Sequence, residues 1–310
     1  MADVADGRDP LRAATVVVVN WNLPELTIRC VQTLVEDGVD DARIVVVENG
    51  STQECTDLLR EALPEIHLLR LDENVGYARA ANKGAELLPG DRYLFVNNDA
   101  FVHRPGSVRR LLASLDRDRV GLAVPRLVNE DLTLQPSVVP ISSPANAFLR
   151  ATGLSRFVPN RWQPWWGHHW DHASSRAIRA ANGAVVAAGA ELWADLGGWI
   201  ERELMFAEDL DLCWRASNRG WHVWFEAESE FMHLGNASGR REWSDRRRSE
   251  LIGRSEGALI RNELPRVQAE ATLFFLCVGL VARMGFFALT GESAARSSLA
   301  GMLSGYRQSR

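Results

Sequence analysis

Two polar segments of this sequence have the residue types and spacing that catalysis by carboxylates requires. The first is Asn97-Asn98-Asp99, which directly follows the apolar run at residues 93–96. A run without alternating polarity is typical of a strand buried on both faces, and open α/β sheets bind ligands at the carboxyl ends of their strands. One interpretation is that Asp99 holds a divalent cation whose shell is completed by the phosphate oxygens of a ligand. The alternative is an ordinary turn, since Asn and Asp are common turn residues.

The second segment is Glu208-Asp209-Leu210-Asp211, where three carboxylates crowd the start of a predicted helix. A positioned carboxylate can accept the proton of an attacking hydroxyl group. The alternative is structural, because acidic residues at a helix N-terminus interact favourably with the helix dipole. Neighbouring like charges raise the pKa of Asp209 and the helix start lowers it, so no net direction is predicted. Asp211 and Arg215 are spaced to form an i,i+4 ion pair.

The composition indicates an ordinary globular protein with reduced cysteines. The chain has 310 residues, of which 46% are hydrophobic and 24% charged, and its formal net charge is −5. That length suits one large domain or one domain with an appendage, and the negative charge argues against a nucleic-acid partner. The four cysteines form no CxxC pair, unlike zinc sites and disulfide frameworks. Residues 1–14 lack the apolar region of a signal peptide, so we predict a disordered tail and a cytoplasmic protein.

The elements that must position the two acidic segments alternate in type. Predicted strands at residues 15–19, 43–47, 66–71 and 93–96 are separated by helical patterns. Polar residues follow the first three strands, in Asn20-Trp21-Asn22, Glu48-Asn49-Gly50 and Asn74. This alternation predicts an α/β fold with a largely parallel central sheet flanked by helices. Neither GxGxxG nor GxxxxGK[ST] follows any of these strands, which excludes the dinucleotide fingerprint and the P-loop.

The alternation weakens beyond Asp99. The predicted elements there are a helix at 108–115, a strand at 121–128, an irregular connection at 129–155, a strand at 181–188, a short helix at 192–196 ended by glycine, and a strand at 221–225 whose continuation ends near His233.

Residues 161–172 concentrate four of the eleven tryptophans and three of the seven histidines. Tryptophan favours amphipathic settings, so this stretch is either a loop facing a ligand or a lipid surface, or a buried aromatic plug. A zinc cluster of His168, His169 and His172 is a further alternative, although no cysteine or carboxylate spacing supports it.

The C-terminal segment, residues 239–310, is predicted to be helical. Residues 271–289 are nearly all apolar and are interrupted by Arg283, over a length close to the roughly 20 residues that span a bilayer. This helix either lies in a membrane surface, packs within the protein or a homodimer interface, or spans the membrane. Five arginines upstream form a basic patch suited to anionic lipid headgroups: Arg240, Arg241, Arg246, Arg247 and Arg248.

Seven short segments occur together in an order that resembles one enzyme family. They are Val19-Asn20-Trp21-Asn22, Val47-Glu48-Asn49-Gly50-Ser51-Thr52, Asn74-Val75-Gly76-Tyr77-Ala78, Asn97-Asn98-Asp99, Gly197-Gly198-Trp199, Glu208-Asp209-Leu210-Asp211 and His233. On these segments, residues 15–238 resemble the family-two glycosyltransferases of the GT-A fold. Within that family the chain looks most like bacterial rhamnosyltransferase-type enzymes of cell-surface polysaccharide assembly.

The resemblance implies roles for individual residues. It assigns the nucleotide pocket to Asn20, Asn22, Glu48, Asn49, Asn74, Gly76 and Asn98; the metal, Mg²⁺ or Mn²⁺, to Asp99 and His233; and catalysis to Asp209 as the base, with Glu208 beside it. Two positions depart from the family pattern. The family commonly has Asp where Glu48 stands, and its two-acid metal motif is here Asn97-Asn98-Asp99, with one acid.

The expected function is therefore inverting, metal-dependent transfer of a sugar from a nucleoside diphosphate sugar, such as dTDP-rhamnose or a UDP-sugar, to a lipid-linked or polysaccharide acceptor. The enzyme would act in cell-envelope glycan synthesis at the inner face of the plasma membrane, as a peripheral membrane protein. One alternative is a sugar-phosphate nucleotidyltransferase, which needs a glycine-rich phosphate loop that Asn20-Trp21-Asn22 does not provide. The other is a non-catalytic carbohydrate-binding protein, which the tryptophan-rich stretch suggests.

Overall fold

The computed structural model describes residues 9–166, 169–201, 206–235 and 244–309. The strands are β1 (Ala14–Asn20), β2 (Ile44–Asn49), β3 (His67–Leu71), β4 (Arg92–Asn97), β5 (Ala100–Val102), β6 (Val120–Val128), β7 (Leu134–Gln135), β8 (Val138–Val139), β9 (Arg176–Ile178), β10 (Ala180–Ala181), β11 (Val185–Gly189) and β12 (His222–His233). The helices are α1 (Pro24–Glu36), α2 (Gln53–Ala62), α3 (Tyr77–Leu87), α4 (Ser107–Ala113), α5 (Pro144–Thr152), α6 (Gln163–Trp166), α7 (Ala190–Leu196), α8 (Glu208–Asn218), α9 (Asp245–Glu263), α10 (Arg266–Thr290) and α11 (Ser293–Gln308).

The first four strands form the parallel half of a central sheet, in the order β3-β2-β1-β4. Their apolar residues alternate between two cores: Val17 and Phe95 pack on one face, and Val16 and Val96 pack on the other. Because both faces are covered, these strands are apolar along their whole length. The predicted α/β fold with helices on both sides of the sheet is confirmed.

The second half of the sheet is mixed. Strand β11 runs antiparallel between β4 and β6, and β12 runs parallel to β6. The ladder between β6 and β12 shifts register between Glu226 and Glu230, and such a bulge bends a strand. Beyond the bulge, β12 pairs antiparallel with β5, which sets His233 opposite Ala100 and therefore beside Asp99.

Two of the predicted elements were wrong in part. The irregular connection at 129–155 contains helix α5, whose N-cap Ser143 accepts a hydrogen bond from the backbone N–H of Asn146 and whose first residue is Pro144. Proline at the first helical position favours a helix start. The strand predicted at 181–188 is interrupted, because β10 ends at Ala181 and β11 begins at Val185.

The tryptophan- and histidine-rich stretch has an exposed end and a buried end. Trp162 is 49% exposed, whereas Trp170 and His172 are buried and pack edge to face against Phe225. His172 uses both ring nitrogens, Nδ1 with the carbonyl of Trp170 and Nε2 with the backbone N–H of Val138. Neither nitrogen is available to a metal, which excludes His172 from the zinc alternative. His168 lies outside the described residues.

The three C-terminal helices pack closely on one another and on the sheet domain. Glycines 253 and 305 lie at the α9–α11 contact, where an added Cβ would collide with the backbone of the facing helix. Helix α10 packs on α5, and a Cβ at Gly279 would come within 2.9 Å of the Cα of Ala151. Of the described helices, α10 alone is long and apolar enough to cross a membrane. Its outward face remains exposed, with Phe274 at 62% and Leu289 at 89%.

Both predicted termini of the sheet domain fall partly outside the described residues. Residues 1–8 of the predicted tail are not described, while Leu11 is buried and Ala14 begins β1. The predicted boundary at 238 and two arginines of the basic patch, Arg240 and Arg241, also lie outside the described residues.

Candidate active site

A cavity of about 570 Å³ lies at the carboxyl edge of the parallel strands. Both acidic segments reach it, because Asp99, Glu208 and Asp209 all belong to its wall. Helix α9 closes part of the cavity with Arg248, Ile252 and Glu256. The C-terminal helices therefore contribute to the site as well as the sheet domain does.

The predicted site residues fall into two groups. Those that line the cavity are Asn49, Asn74, Asn98, Asp99, Glu208, Asp209 and His233. Those that stand outside its lining are Asn20, Asn22, Glu48 and Gly76.

Asn20 and Glu48 belong to a buried network behind the cavity. The side-chain amide of Asn20 donates to Glu48 Oε2 at 3.0 Å, and Asn20 Oδ1 accepts hydrogen bonds from Thr27 Oγ1 at 2.7 Å and Asn98 Nδ2 at 3.3 Å. Asn20 and Glu48 are both fully buried. This network joins the ends of β1, β2 and β4, so it fixes the positions of the loops that face the cavity.

The loop after β3 is held by a second set of amide contacts. Asn49 Nδ2 donates to Asn74 Oδ1 at 3.0 Å, and the backbone N–H of Val75 donates to Asn49 Oδ1 at 3.0 Å. Gly76 has φ +84°, a left-handed value that glycine adopts without strain. Asn22 holds the neighbouring loop, where its Oδ1 accepts from the backbone N–H of Thr52 at 3.2 Å.

Asp99 and His233 face each other across the cavity wall. His233 Nε2 is 3.3 Å from Asp99 Oδ1, and both side chains are largely buried. His233 Nδ1 lies 2.7 Å from Gln135 Oε1, and the Gln135 amide is oriented by donating to the His233 carbonyl at 3.0 Å and to Asn129 Oδ1 at 2.9 Å. Since Gln135 Oε1 can only accept, the neutral His233 ring carries its proton on Nδ1, and Nε2 then has a lone pair for a metal.

These two residues fit a divalent cation. Among the described residues, His233 Nε2 is buried and forms no hydrogen bond, although Asp99 Oδ1 is 3.3 Å away. A metal-binding nitrogen is expected to have this environment. A metal-binding histidine normally donates its other N–H to an oxygen, which is the contact that Gln135 makes. The described residues contain no cluster of three or more His, Cys, Asp or Glu side chains. A cation here would therefore complete its shell with ligand or water oxygens.

Asp209 is held by backbone donors at the start of α8. Its Oδ2 accepts from Gly183 at 2.7 Å, and its Oδ1 accepts from Leu210 at 2.8 Å. The Gly183 donor comes from the break between β10 and β11, and a Cβ at Gly183 would lie only 2.7 Å from the Asp209 Cβ. Two non-glycine residues before the helix, Phe206 and Ala207, have φ values of 72° and 71°. Strain of this kind clusters at functional sites.

The electrostatics of the acidic pair favour one bound proton near neutral pH. Burial raises the pKa of Glu208 to about 7, and the nearby negative charge of Asp209 adds to the rise. Burial also raises the pKa of Asp209, while its two backbone N–H donors oppose the rise. Asp211 stands apart from this pair, because its Oδ2 binds Arg215 Nε at 2.6 Å, which confirms the predicted i,i+4 ion pair.

An aromatic wall adds polar groups that sequence reasoning did not assign. Tyr77 and Trp199 meet edge to face with ring centroids 5.8 Å apart. Among the described residues, the Tyr77 hydroxyl and Trp199 Nε1 are buried without hydrogen-bond partners. Burial raises the pKa of Tyr77, so its hydroxyl keeps its proton and can donate. Both residues occur in the motifs quoted above, which is the signal that could have identified them.

Arg248 and Gln135 are two further residues of the cavity wall. Arg248 was assigned to a lipid-binding patch, but it lines the cavity, and its buried Nε has no hydrogen-bond partner among the described residues. It is a cation suited to a diphosphate. Gln135 lies in the stretch predicted to be irregular and carries no motif.

Comparisons with known proteins agree with the fold. The model of the family Glycosyl transferase family 2 matches residues 15–162. An N-acetylglucosaminyl-diphospho-decaprenol L-rhamnosyltransferase from Mycobacterium tuberculosis is 27% identical over 202 residues, which cover 61% of this chain and 66% of the relative. A teichoic acid poly(glycerol phosphate) polymerase from Staphylococcus epidermidis is 28% identical over 27% of this chain and 12% of its own length.

The solved structures give the fold. A mannosyltransferase from Pyrobaculum calidifontis in complex with GDP-Man and Mn²⁺ aligns over 97% of this chain and 88% of its own, with a TM-score of 0.62 at 16% identity. GalNAc-T7 with UDP, GalNAc and Mn²⁺ aligns over 82% of this chain and 48% of its own, with a TM-score of 0.58 at 15% identity. These structures show that the chain has the GT-A fold, and the family match is to a glycosyltransferase family.

Within that class, residues 15–162 match the family 2 model, and the chain is similar to an L-rhamnosyltransferase of Mycobacterium tuberculosis. The assignment favours the transferase over the nucleotidyltransferase and the non-catalytic alternatives. The chain spans just under two thirds of the rhamnosyltransferase that it matches.

Proposed function

We propose that this enzyme transfers a sugar, with inversion, from a nucleoside diphosphate sugar to a lipid-linked acceptor in cell-envelope glycan synthesis. The observation that carries the proposal is that one cavity is lined by Asp99 and His233, which suit a cation, and by Asp209, which suits a base. The relatives support the acceptor class, since the names of two of them specify a diphospho-decaprenol acceptor and a teichoic acid product.

The donor would bind with its diphosphate toward Asp99, His233 and Arg248. Mg²⁺ or Mn²⁺ held by Asp99 and His233 would supply Lewis-acid stabilisation of the charge on the leaving diphosphate. Arg248 would add a fixed positive charge from α9. Asn49 and Asn74 line the part of the cavity nearest β2 and offer amide groups to the nucleoside. dTDP-rhamnose is the first donor to test, followed by UDP-sugars.

Asp209 would act as the general base. Each of its oxygens accepts one backbone N–H and keeps a lone pair for a proton. As the acceptor hydroxyl attacks the anomeric carbon, its proton moves to Asp209, the new glycosidic C–O bond forms, and the bond to the diphosphate breaks with its electron pair. A single displacement on the face opposite the leaving group inverts the anomeric carbon. Glu208, whose pKa burial raises to about 7, would orient the acceptor by a hydrogen bond.

The acceptor would come from a membrane surface. The outward face of α10 exposes large apolar side chains along its length, including Val267, Phe274, Val281, Phe286 and Leu289. A helix with one apolar exposed face can lie in the interface of a bilayer. We infer that α10 rests on the inner face of the plasma membrane and brings the cavity to a lipid-linked acceptor.

The test combines donor binding with turnover in the full chain. A thermal-shift panel of dTDP-rhamnose, UDP-sugars and GDP-mannose, each with and without Mn²⁺, should yield one donor that stabilises the fold in a Mn²⁺-dependent way. Asp99→Ala should abolish that dependence. Asp209→Asn should lower sugar transfer at least about 100-fold while donor binding persists, and Asp118→Asn, an exposed control, should change neither. Unchanged turnover in Asp209→Asn, or no stabilising nucleotide-sugar, would refute the proposal.

A further inference from the structure

A second cavity, of about 250 Å³, adjoins the catalytic cavity. The two share four wall residues, Asn182, Leu210, Ile252 and Glu256. The opposite wall is formed by α5, α10 and α11 and contains one cation, Arg150. We propose that this second cavity, with Arg150 and the adjacent Arg283, binds the diphosphate and the first apolar units of the lipid-linked acceptor. The inference rests on the proposed function and extends it to a specific acceptor subsite.

The fold brings the two arginines together at the crossing of α5 and α10. The closest contact of that crossing is between Ala151 and Gly279. Arg150 precedes Ala151, and Arg283 follows Gly279 by one helical turn. Burial, together with the neighbouring positive charge of Arg150, lowers the pKa of Arg283, so the two guanidinium groups lie within electrostatic range of each other.

Within the described ranges, neither arginine forms an ion pair with a carboxylate, and Arg283 Nε is buried without a hydrogen-bond partner. Two neighbouring positive charges repel each other, and an anion bound between them would relieve that repulsion. A diphosphate supplies that anion, and guanidinium groups match phosphate oxygens by paired hydrogen bonds.

The acidic residue of the wall, Glu256, forms no ion pair with either arginine among the described residues. Glu256 Oε2 accepts a hydrogen bond from Tyr306 at 2.6 Å, and its Oε1 accepts one from Ser142 at 3.4 Å. Among the described side chains, the Glu256 carboxylate is therefore hydrogen-bonded by these two hydroxyl groups and by no arginine.

The rest of the second cavity suits an apolar chain. Its wall includes Ala147, Leu276 and Met302 from the three surrounding helices. Outside it, Phe148 of α5 is 42% exposed and meets Phe275 of α10 edge to face. An amphiphile with its diphosphate at the arginines would therefore have apolar surface on one side and the catalytic cavity on the other.

Calorimetric titration of the full-length protein with soluble probes tests the subsite without requiring turnover. Geranyl diphosphate should bind. Geraniol, which lacks the diphosphate, and inorganic diphosphate, which lacks the apolar chain, should each bind at least about tenfold more weakly. Arg150→Gln and Arg283→Gln should each weaken geranyl diphosphate binding at least about tenfold, the scale of a lost charged hydrogen bond. Arg150→Lys, which keeps the charge, should recover part of the affinity.

Arg156→Gln is the matched control, since Arg156 is an exposed arginine of the neighbouring segment that stacks on Phe157. It should change the affinity less than twofold. Inorganic diphosphate binding as tightly as geranyl diphosphate would overturn the lipid subsite, and so would unchanged affinity in both glutamine variants. Stabilisation by nucleotide-sugars, measured on the same variants, distinguishes failure of the proposed function from failure of the subsite. If no nucleotide-sugar binds but geranyl diphosphate binding still requires the arginines, the proposed function fails and the subsite stands.

Discussion

Replacing Glu208 by glutamine should stabilise the protein at alkaline pH and leave its stability unchanged at acid pH. Glu208 lies in the wall of the catalytic cavity, where burial and the charge of Asp209 raise its pKa from 4.5 to about 7. Below pH 4.5 the group is protonated in the folded and unfolded chains alike. Between pH 4.5 and 7 the unfolded chain releases the proton that the folded chain retains, so the free energy of unfolding falls as pH rises.

The magnitude follows from the size of the shift. A rise from 4.5 to about 7 corresponds to about 3 kcal/mol of lost stability above pH 7, as an upper bound because Asp209 titrates with Glu208. Glu208→Gln removes the ionisable group and should regain most of that free energy. For a protein of this size the gain corresponds to a rise in melting temperature of roughly 5 °C or more.

The assay is thermal unfolding followed by circular dichroism from pH 4 to 8.5. The difference in melting temperature between Glu208→Gln and the wild type should increase from pH 4.5 to pH 7 and stay constant above pH 7. Glu201→Gln is a control of opposite sign, because hydrogen bonds from Asn82 and Arg79 lower the pKa of Glu201. That variant should lose stability at pH 8 and approach the wild type at acid pH. Equal melting temperatures for Glu208→Gln and the wild type at pH 8 would refute the reasoning.

Three further changes test separate parts of the site. Gln135→Leu removes the acceptor that fixes His233 and should weaken Mn²⁺ affinity, measured by titration, about 10- to 100-fold, whereas Gln135→Glu should retain it. Gly183→Ala introduces a Cβ that displaces Asp209 and should lower kcat at least about tenfold with donor affinity unchanged. Phe274→Asp on the exposed face of α10 should abolish sedimentation with anionic vesicles while the melting temperature is retained, and undiminished sedimentation would contradict the membrane assignment.

The parallel half of the sheet was predictable because each of its signals is local. An apolar run such as 93–96 marks a strand covered on both faces, and parallel pairing carries the polar residue after each strand to the same edge. The register bears this out, since Val19 lies opposite both Val47 and Asn97. The meeting of Asp99 with the Glu208–Asp209 segment could not be derived from patterns, because it depends on the mixed half of the sheet.

The candidate cation site could not be predicted from local sequence patterns. His233 is 134 positions from Asp99, and the two meet because β12 continues past a bulge to pair with β5. Only the family resemblance suggested that contact. Gln135 had no signal at all, since it lies in a two-residue strand whose place is set by pairing with β6.

Two errors in the sequence prediction had readable causes. The predicted irregular connection at 129–155 missed α5, although Ser143 before Pro144 is a good helix cap. The predicted strand at 181–188 missed the interruption between β10 and β11, although a glycine such as Gly183 inside a strand pattern often marks an irregularity. That interruption releases the backbone N–H that holds Asp209.

The close glycine contacts between α9 and α11 leave these helices little freedom to slide past each other. Because α9 also forms a wall of the catalytic cavity, a tilt imposed on the C-terminal helices by a bilayer would be transmitted to Arg248 and Glu256. The proposed attachment to lipid would therefore be mechanically linked to the shape of the candidate active site. A truncated form that lacks these helices would lose one wall of the cavity. A low rate of sugar transfer measured on that form would therefore reflect the missing wall and would not test the roles of the remaining residues.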